Sequence, residues 1–124
     1  MKEVFTNKAP EAIGPYSQAI IAGDFVYASG AIGVNPETGE VAEGVEGQTK
    51  QVMENLKAVL AEANADFSKV VKFTIYLKSM DDFATVNEIY GGYLEKPYPA
   101  RATIEVSRLP KDLLVEIDAV AYLK

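Results

Sequence analysis

Arg101, Thr103 and Glu105 stand at alternate positions, interleaved with Ala102, Ile104 and Val106. In an extended strand this spacing sets the three polar side chains on one face. Farther along, Leu114, Glu116, Asp118, Val120 and Tyr122 alternate with Val115, Ile117, Ala119 and Ala121, so Glu116 and Asp118 also share a face. An arginine near a carboxyl group suits a small anionic ligand. The guanidinium can hold a carboxylate through two parallel hydrogen bonds, and Glu116 can move a proton or position a water beside it.

If the two stretches form a hairpin, their polar faces coincide and parity restricts the register. One register sets Thr103 opposite Glu116 and Arg101 opposite Asp118. Arg101 then lies diagonal to Glu116, roughly 7–8 Å away, which leaves room for a small ligand between them. Another register sets Glu105 against Glu116, where like charges repel, so the first is preferred. An ordinary cross-strand ion pair between Arg101 and Asp118 is the commoner use of such a pattern.

Other positions are suited to display. Tyr16 follows the chain-breaking Gly14-Pro15 pair in a loop, where its phenol can donate to a polar ligand. Ser29-Gly30 ends a strand, and Gly30 permits close approach. Asn87 interrupts the apolar stripe of a helix. Each has a plainer alternative: ring packing at a domain edge, a strand exit, and a helix-surface amide. Gly30-Ala31-Ile32-Gly33 lacks the further glycine and the helix that a dinucleotide fingerprint requires. Asp81-Asp82 fit the start of a helix better than a metal site. The tyrosines between Tyr90 and Tyr98 fit a core or an interface better than a base-stacking platform.

Composition narrows the chemistry. The chain has no histidine and no cysteine. A Ser-His-Asp triad, a thiolate nucleophile, a disulfide and a His/Cys zinc site are all excluded. Proton transfer falls to carboxylates, Tyr, Lys, Arg and backbone groups. The net charge of -6, with Lys50, Lys57, Lys69, Lys72 and Lys78 scattered, argues against nucleic acid as a partner. Met1 to Pro10 carries no apolar run of the signal-peptide kind, and no segment approaches a membrane span. A soluble, cytoplasmic protein of one domain, residues 1–124, is expected.

The elements that must position these residues read as follows. Lys2 to Thr6 is a short edge strand. Ser17 to Ala22 and Phe25 to Ser29 form a hairpin about Gly23-Asp24, and Gly30 to Glu40 is a structured loop. Gln48 to Ala63 is a helix, with Val52, Met53, Leu56, Val59, Leu60 and Ala63 on one stripe. Lys69 to Lys78 alternates as a half-buried strand, with Val71, Phe73, Ile75 and Leu77 on one face. Ser79 to Leu94 is a second helix with Phe83, Val86, Tyr90 and Tyr93 toward the core. Arg101 to Ser107 and Leu114 to Tyr122 are the last strands, joined around Leu109-Pro110-Lys111-Asp112. The order ββ-α-β-α-ββ implies an α+β domain, a mixed sheet with two helices on one face. The other face mixes apolar and acidic groups, which fits burial against another subunit.

Three segments resemble the RidA/YjgF family: Ala12-Ile13-Gly14-Pro15-Tyr16-Ser17-Gln18-Ala19; Ser29-Gly30 through Asn35-Pro36-Glu37-Thr38-Gly39-Glu40; and Pro99-Ala100-Arg101 through Leu109-Pro110-Lys111-Asp112 to Val115-Glu116-Ile117. Asp82-Phe83-Ala84-Thr85-Val86-Asn87 matches as well. The resemblance implies a chorismate-mutase-like fold, a homotrimer with clefts between subunits, and cofactor-free hydrolysis of enamines and imines such as 2-aminoacrylate and 2-aminocrotonate to 2-keto acids and ammonia. It assigns Arg101 to the substrate carboxylate, Glu116 to water, and Tyr16, Ser29, Gly30, Asn87 and Thr103 to the pocket. Thr103 stands where many bacterial members have Cys, and Ala31 where many have Gln; pocket polarity and substrate preference are affected first. Two rival readings are a non-catalytic binder of 2-keto acids and an endoribonuclease, the second opposed by the acidic charge and the absence of histidine.

Overall fold

The computed structural model describes residues 1–124. Six strands form one sheet: β1 (Lys2–Val4), β2 (Ala19–Ala22), β3 (Phe25–Ile32), β4 (Val70–Leu77), β5 (Ala100–Glu105) and β6 (Val115–Tyr122). They lie in the order β1-β2-β3-β6-β4-β5. Only the β4–β5 pair is parallel. Two helices, α1 (Gly44–Glu62) and α2 (Phe83–Gly92), cover one face and pack on each other. Neither is long and apolar enough to cross a membrane.

The apolar periodicity dictates this arrangement. On the covered face Val26, Phe73, Ile75, Leu77, Val115, Ile117 and Ala119 are buried beneath Val52, Met53, Leu56 and Leu60 of α1 and Val86 and Tyr90 of α2. The Phe73 ring is fully enclosed and meets the edges of Phe67 and Tyr90, with centroids 5.9 and 5.2 Å away. The opposite face carries no helix. Tyr27 and Tyr122 are exposed on it beside Val120, Glu116 and Asp118. The mixed polarity expected of that face is what the structure shows.

Several boundaries differ from expectation, each for a local reason. The helix expected from Gln48 begins at Gly44; its first turn, Gly44-Val45-Glu46-Gly47, has no apolar stripe to announce it. The helix expected from Ser79 begins instead as a 3₁₀ turn, Met80–Asp82, whose start is fixed by the Ser79 side chain accepting from the Asp81 N–H. The third strand runs three residues past Ser29 to Ile32, because its register shifts between Ala28 and Ala31 and lets pairing with β6 resume beyond Gly30. In β4 a similar irregularity between Val70 and Lys72 turns Val71 outward and Val70 inward.

The larger correction concerns β5. It does not form a hairpin with β6: β4 lies between them. The chain leaves β4, crosses through α2 and returns as β5 parallel to β4, the connection a crossover helix enforces. The Val106–Leu114 segment then carries the chain past β4 to β6. Arg101 therefore pairs with Phe73, and Thr103 with Ile75. Glu116 pairs with Tyr76 on one side and Ile32 on the other. Neither the expected diagonal Arg101–Glu116 arrangement nor the Arg101–Asp118 ion pair exists.

Buried amides tie the loops to this frame. Gln18 accepts from the Thr6 N–H and donates to the Thr6, Ala9 and Pro10 carbonyls, pinning the N-terminal loop. Asn55 of α1 donates to the Ile32 and Val34 carbonyls, each at 2.9 Å. Gln48 accepts from the Leu114 N–H just before β6. Truncating Phe73 to Ala removes the hub of the helix–sheet contact and is expected to cost about 3–5 kcal/mol in chemical denaturation.

Candidate functional site

Partners across neighbouring strands put their side chains on the same side of a sheet. Ile75 is paired with both Thr103 and Ile117, so Arg101 and Thr103 point to the helix-covered face. Tyr76 is paired with Glu116, so Glu116 points to the bare face, together with Asp118. The residues expected to act together lie on opposite faces and two strands apart.

The Glu116 half is built around the irregularity in β3. A Cβ placed on Gly30 would stand 2.2 Å from Glu116 Oε2, so only glycine leaves the carboxyl its present position. A cavity of about 850 Å³ opens beside it, with Tyr16, Ser29, Gly30, Ala31 and Glu116 in its wall. Ser29 also acts as a brace. Its hydroxyl donates to the Ser17 carbonyl at 2.6 Å, and its N–H to the Gln18 carbonyl at 2.9 Å. These bonds hold the loop bearing Tyr16 against the strand. Lys111 lines the same cavity from the turn before β6, where Lys111 and Asp112 both have left-handed backbone. Arg108 braces that turn through two hydrogen bonds to Asp112.

Glu116 is half-buried, and burial pushes its carboxyl above the usual range; the charge of Asp118 adds to this. Asp118 is itself held by the Tyr76 hydroxyl, which donates to it at 2.8 Å. The same bond, with burial and the two carboxylates, raises the Tyr76 phenol to about 12. Tyr76 thus stays protonated and holds Asp118 two positions from Glu116. This pair escaped the sequence reading, which gave Asp118 to Arg101; the alternation of 69–78, which sets Tyr76 on the face opposite Phe73, Ile75 and Leu77, was the available signal.

The Arg101 half lies at the outer strand. Its guanidinium is exposed and has no acidic partner within ion-pair distance. It donates to Asn87 Oδ1 at 2.5 Å and sits 5.5 Å over the Phe83 ring and 5.4 Å over the Tyr90 ring. Phe83 and Tyr90 were read from sequence as core residues only. Their spacing with Asn87, 83/87/90, marks one helix stripe, and the crossover connection brings that stripe to β5. Thr103 lies on the same face, its hydroxyl oxygen buried without a hydrogen-bond partner. Arg101, Asn87 and Thr103 do not line the Glu116 cavity.

An α+β sheet with helices on one face, a cavity at a glycine-lined irregularity and an unpaired arginine at the outer strand defines the class. The family model described as Endoribonuclease L-PSP matches residues 6–123, and the chain belongs to that family, the RidA/YjgF family whose motifs it resembles. A RutC family protein of Pyrococcus abyssi is 54% identical over 120 residues, covering 96% of this chain and 94% of its own. Reactive Intermediate Deaminase A, chloroplastic, of Arabidopsis thaliana is 51% identical over 121 residues, covering 97% of this chain and 65% of its own. The crystal structure of RidA from an Antarctic Psychrobacter superposes with a TM-score of 0.96 at 45% identity, covering 98% of this chain and 99% of that one.

The raised Glu116 carboxyl has a consequence for stability. A carboxyl that titrates higher folded than unfolded costs the folded state stability as pH rises from the unfolded value through the folded one. Glu116→Gln removes that cost. The variant is expected to gain stability relative to the parent between pH 4 and pH 7, measured by urea denaturation at both. A constant difference would contradict the burial argument.

Proposed function

We propose that the protein hydrolyses reactive enamines and imines, such as 2-aminoacrylate and 2-aminocrotonate, to 2-keto acids and ammonia. One observation supports this reading above the rest. The chain holds an uncompensated guanidinium and a half-buried carboxyl whose proton affinity burial raises, on opposite faces of one sheet. Such a pair is of use when two copies face each other, the Arg101 edge of one approaching the Glu116 cavity of the next. The bare face with its exposed tyrosines, and the unpaired edge of β5, are surfaces that a second copy would cover. Closure of such head-to-tail contacts into a ring of three gives a homotrimer with three equivalent clefts.

In the proposed cleft Arg101 binds the substrate carboxylate through the donors that Asn87 leaves free. The enamine tautomerises to an imine, whose C2 is electrophilic without a metal or a covalent nucleophile. Glu116 accepts a proton from water as its oxygen bonds to C2, then returns the proton to nitrogen. The carbinolamine so formed then passes its hydroxyl proton through Glu116 to nitrogen, the C2–N bond breaks, ammonia leaves and C2=O forms the 2-keto acid. A carboxyl raised toward the working pH exchanges protons well in both directions. Tyr16 and Thr103 complete the polar lining, one from each half. The Arabidopsis relative bears the name of a reactive intermediate deaminase, and its high identity favours the same chemistry here. The net charge of -6 favours a small anion held by one local cation over an RNA strand.

The test is pyruvate formation from freshly generated 2-aminoacrylate. Acceleration by the parent is expected to fall at least about a hundredfold in Arg101→Ala and in Glu116→Gln. Normal turnover in Arg101→Ala would refute the reading. Gly30→Ala forces the Glu116 carboxyl aside and is expected to lower turnover about tenfold or more, with the far-ultraviolet circular dichroism spectrum unchanged.

A further inference from the structure

The arginines of this chain are Arg101 and Arg108. Arg108 is neutralised by Asp112, which accepts from it at 2.6 and 3.2 Å. Arg101 is held by groups that carry no charge: two aromatic rings and one amide oxygen, all from a single stripe of α2. A carboxylate in their place would hold the guanidinium as firmly but would compete with any anionic ligand. Ring faces and an amide dipole attract the cation and leave its full charge available. A guanidinium on an exposed edge strand would otherwise sample many rotamers, and fixing it in advance lowers the cost of binding.

We propose that Phe83 and Tyr90 are positioning residues for the anion-binding function of Arg101, forming with Asn87 a charge-neutral clamp that sets ligand affinity rather than chemical rate. The inference rests on the proposed role of Arg101 as the grip on the substrate carboxylate. Phe83 is the informative member. It is partly exposed and at the start of α2, whereas Tyr90 is buried against Phe73 and also serves the core. The ring of Phe83 therefore does for Arg101 what an aliphatic side chain of similar size would not.

Two measurements test the clamp together. The first is the ¹⁵N–¹H signal of the Arg101 Nε–Hε group, with Arg108 as the internal reference. Ring currents from Phe83, 5.5 Å from the guanidinium carbon, should displace it in the parent; Phe83→Leu should move it toward the Arg108 position, and Phe83→Tyr should restore it. The second is binding of 2-oxobutyrate by calorimetry, with turnover of 2-aminoacrylate alongside. Phe83→Leu is expected to raise Kd and KM about two- to fivefold with kcat within about twofold, and Phe83→Tyr to recover both. Asn87→Asp, which sets a carboxylate of the same shape beside the guanidinium, should weaken binding about tenfold or more. An Arg101 signal or a Kd that Phe83→Leu leaves unchanged overturns the clamp. If Arg101→Ala loses binding while Phe83→Leu does not, the clamp alone falls. If Arg101→Ala still binds 2-oxobutyrate like the parent, the proposed function falls and the clamp with it.

Discussion

Side chains on paired residues of neighbouring strands share a face, and in this chain that parity separates the two groups best suited to chemistry. Ile75, at the centre of β4, is flanked by Thr103 and Ile117. Beyond the irregularity at Val71, residues of β4, β5 and β6 in phase with it turn toward the helices, Arg101 included. Those one residue out of phase turn to the bare face, Glu116 included. No rotamer change brings them together through a sheet whose inner side is filled by Phe73, Ile75, Leu77 and the apolar stripe of α1. Under the proposed function the site is consequently a property of the assembly, and the apolar content of the bare face is what brings the assembly about.

The two groups are held in different ways. Glu116 loses water to its surroundings and stands near Asp118, so ionising it is costly. Gly30 is the concession that lets the carboxyl reach its place. Arg101 is instead left with its charge uncompensated, steadied by rings and an amide. The half-buried carboxyl costs the isolated chain some stability when it ionises, whereas the exposed guanidinium keeps its hydration. The amides that order the loops, Gln18, Asn55 and Gln48, bond to backbone groups and not to Arg101 or Glu116.

Much of this was legible beforehand. Alternation in 115–122 identified both faces of β6, and the stripe from Val52 to Leu60 identified α1, because burial imposes periods of 2 and 3.6 on apolar residues. The motifs around Tyr16, Ser29-Gly30, Arg101 and Glu116 pointed to residues that the fold places at the Gly30 cavity and at the β5 edge. Strand order was not legible. Alternation says which way a side chain points, not which strand lies beside it, and a hairpin between the last two strands satisfied the pattern as well as the crossover that exists. The crossover was foreshadowed by α2 alone, since a strand, a helix and a second strand in succession favour a parallel return. The roles of Phe83, Tyr90 and Tyr76 depend on that order and stayed hidden with it.

The central claim is that Arg101 and Glu116 act across two copies of the chain. Co-expressing Arg101→Ala and Glu116→Gln chains, each with its own affinity tag, and isolating the mixed oligomers tests it directly. A cleft between a chain with intact Arg101 and a neighbour with intact Glu116 is whole. Every mixed ring of three contains one whole cleft, so the isolated mixed trimers should show about a third of the parent's 2-aminoacrylate turnover, although each variant alone is inactive. Mixed oligomers no more active than the two variants would contradict the account.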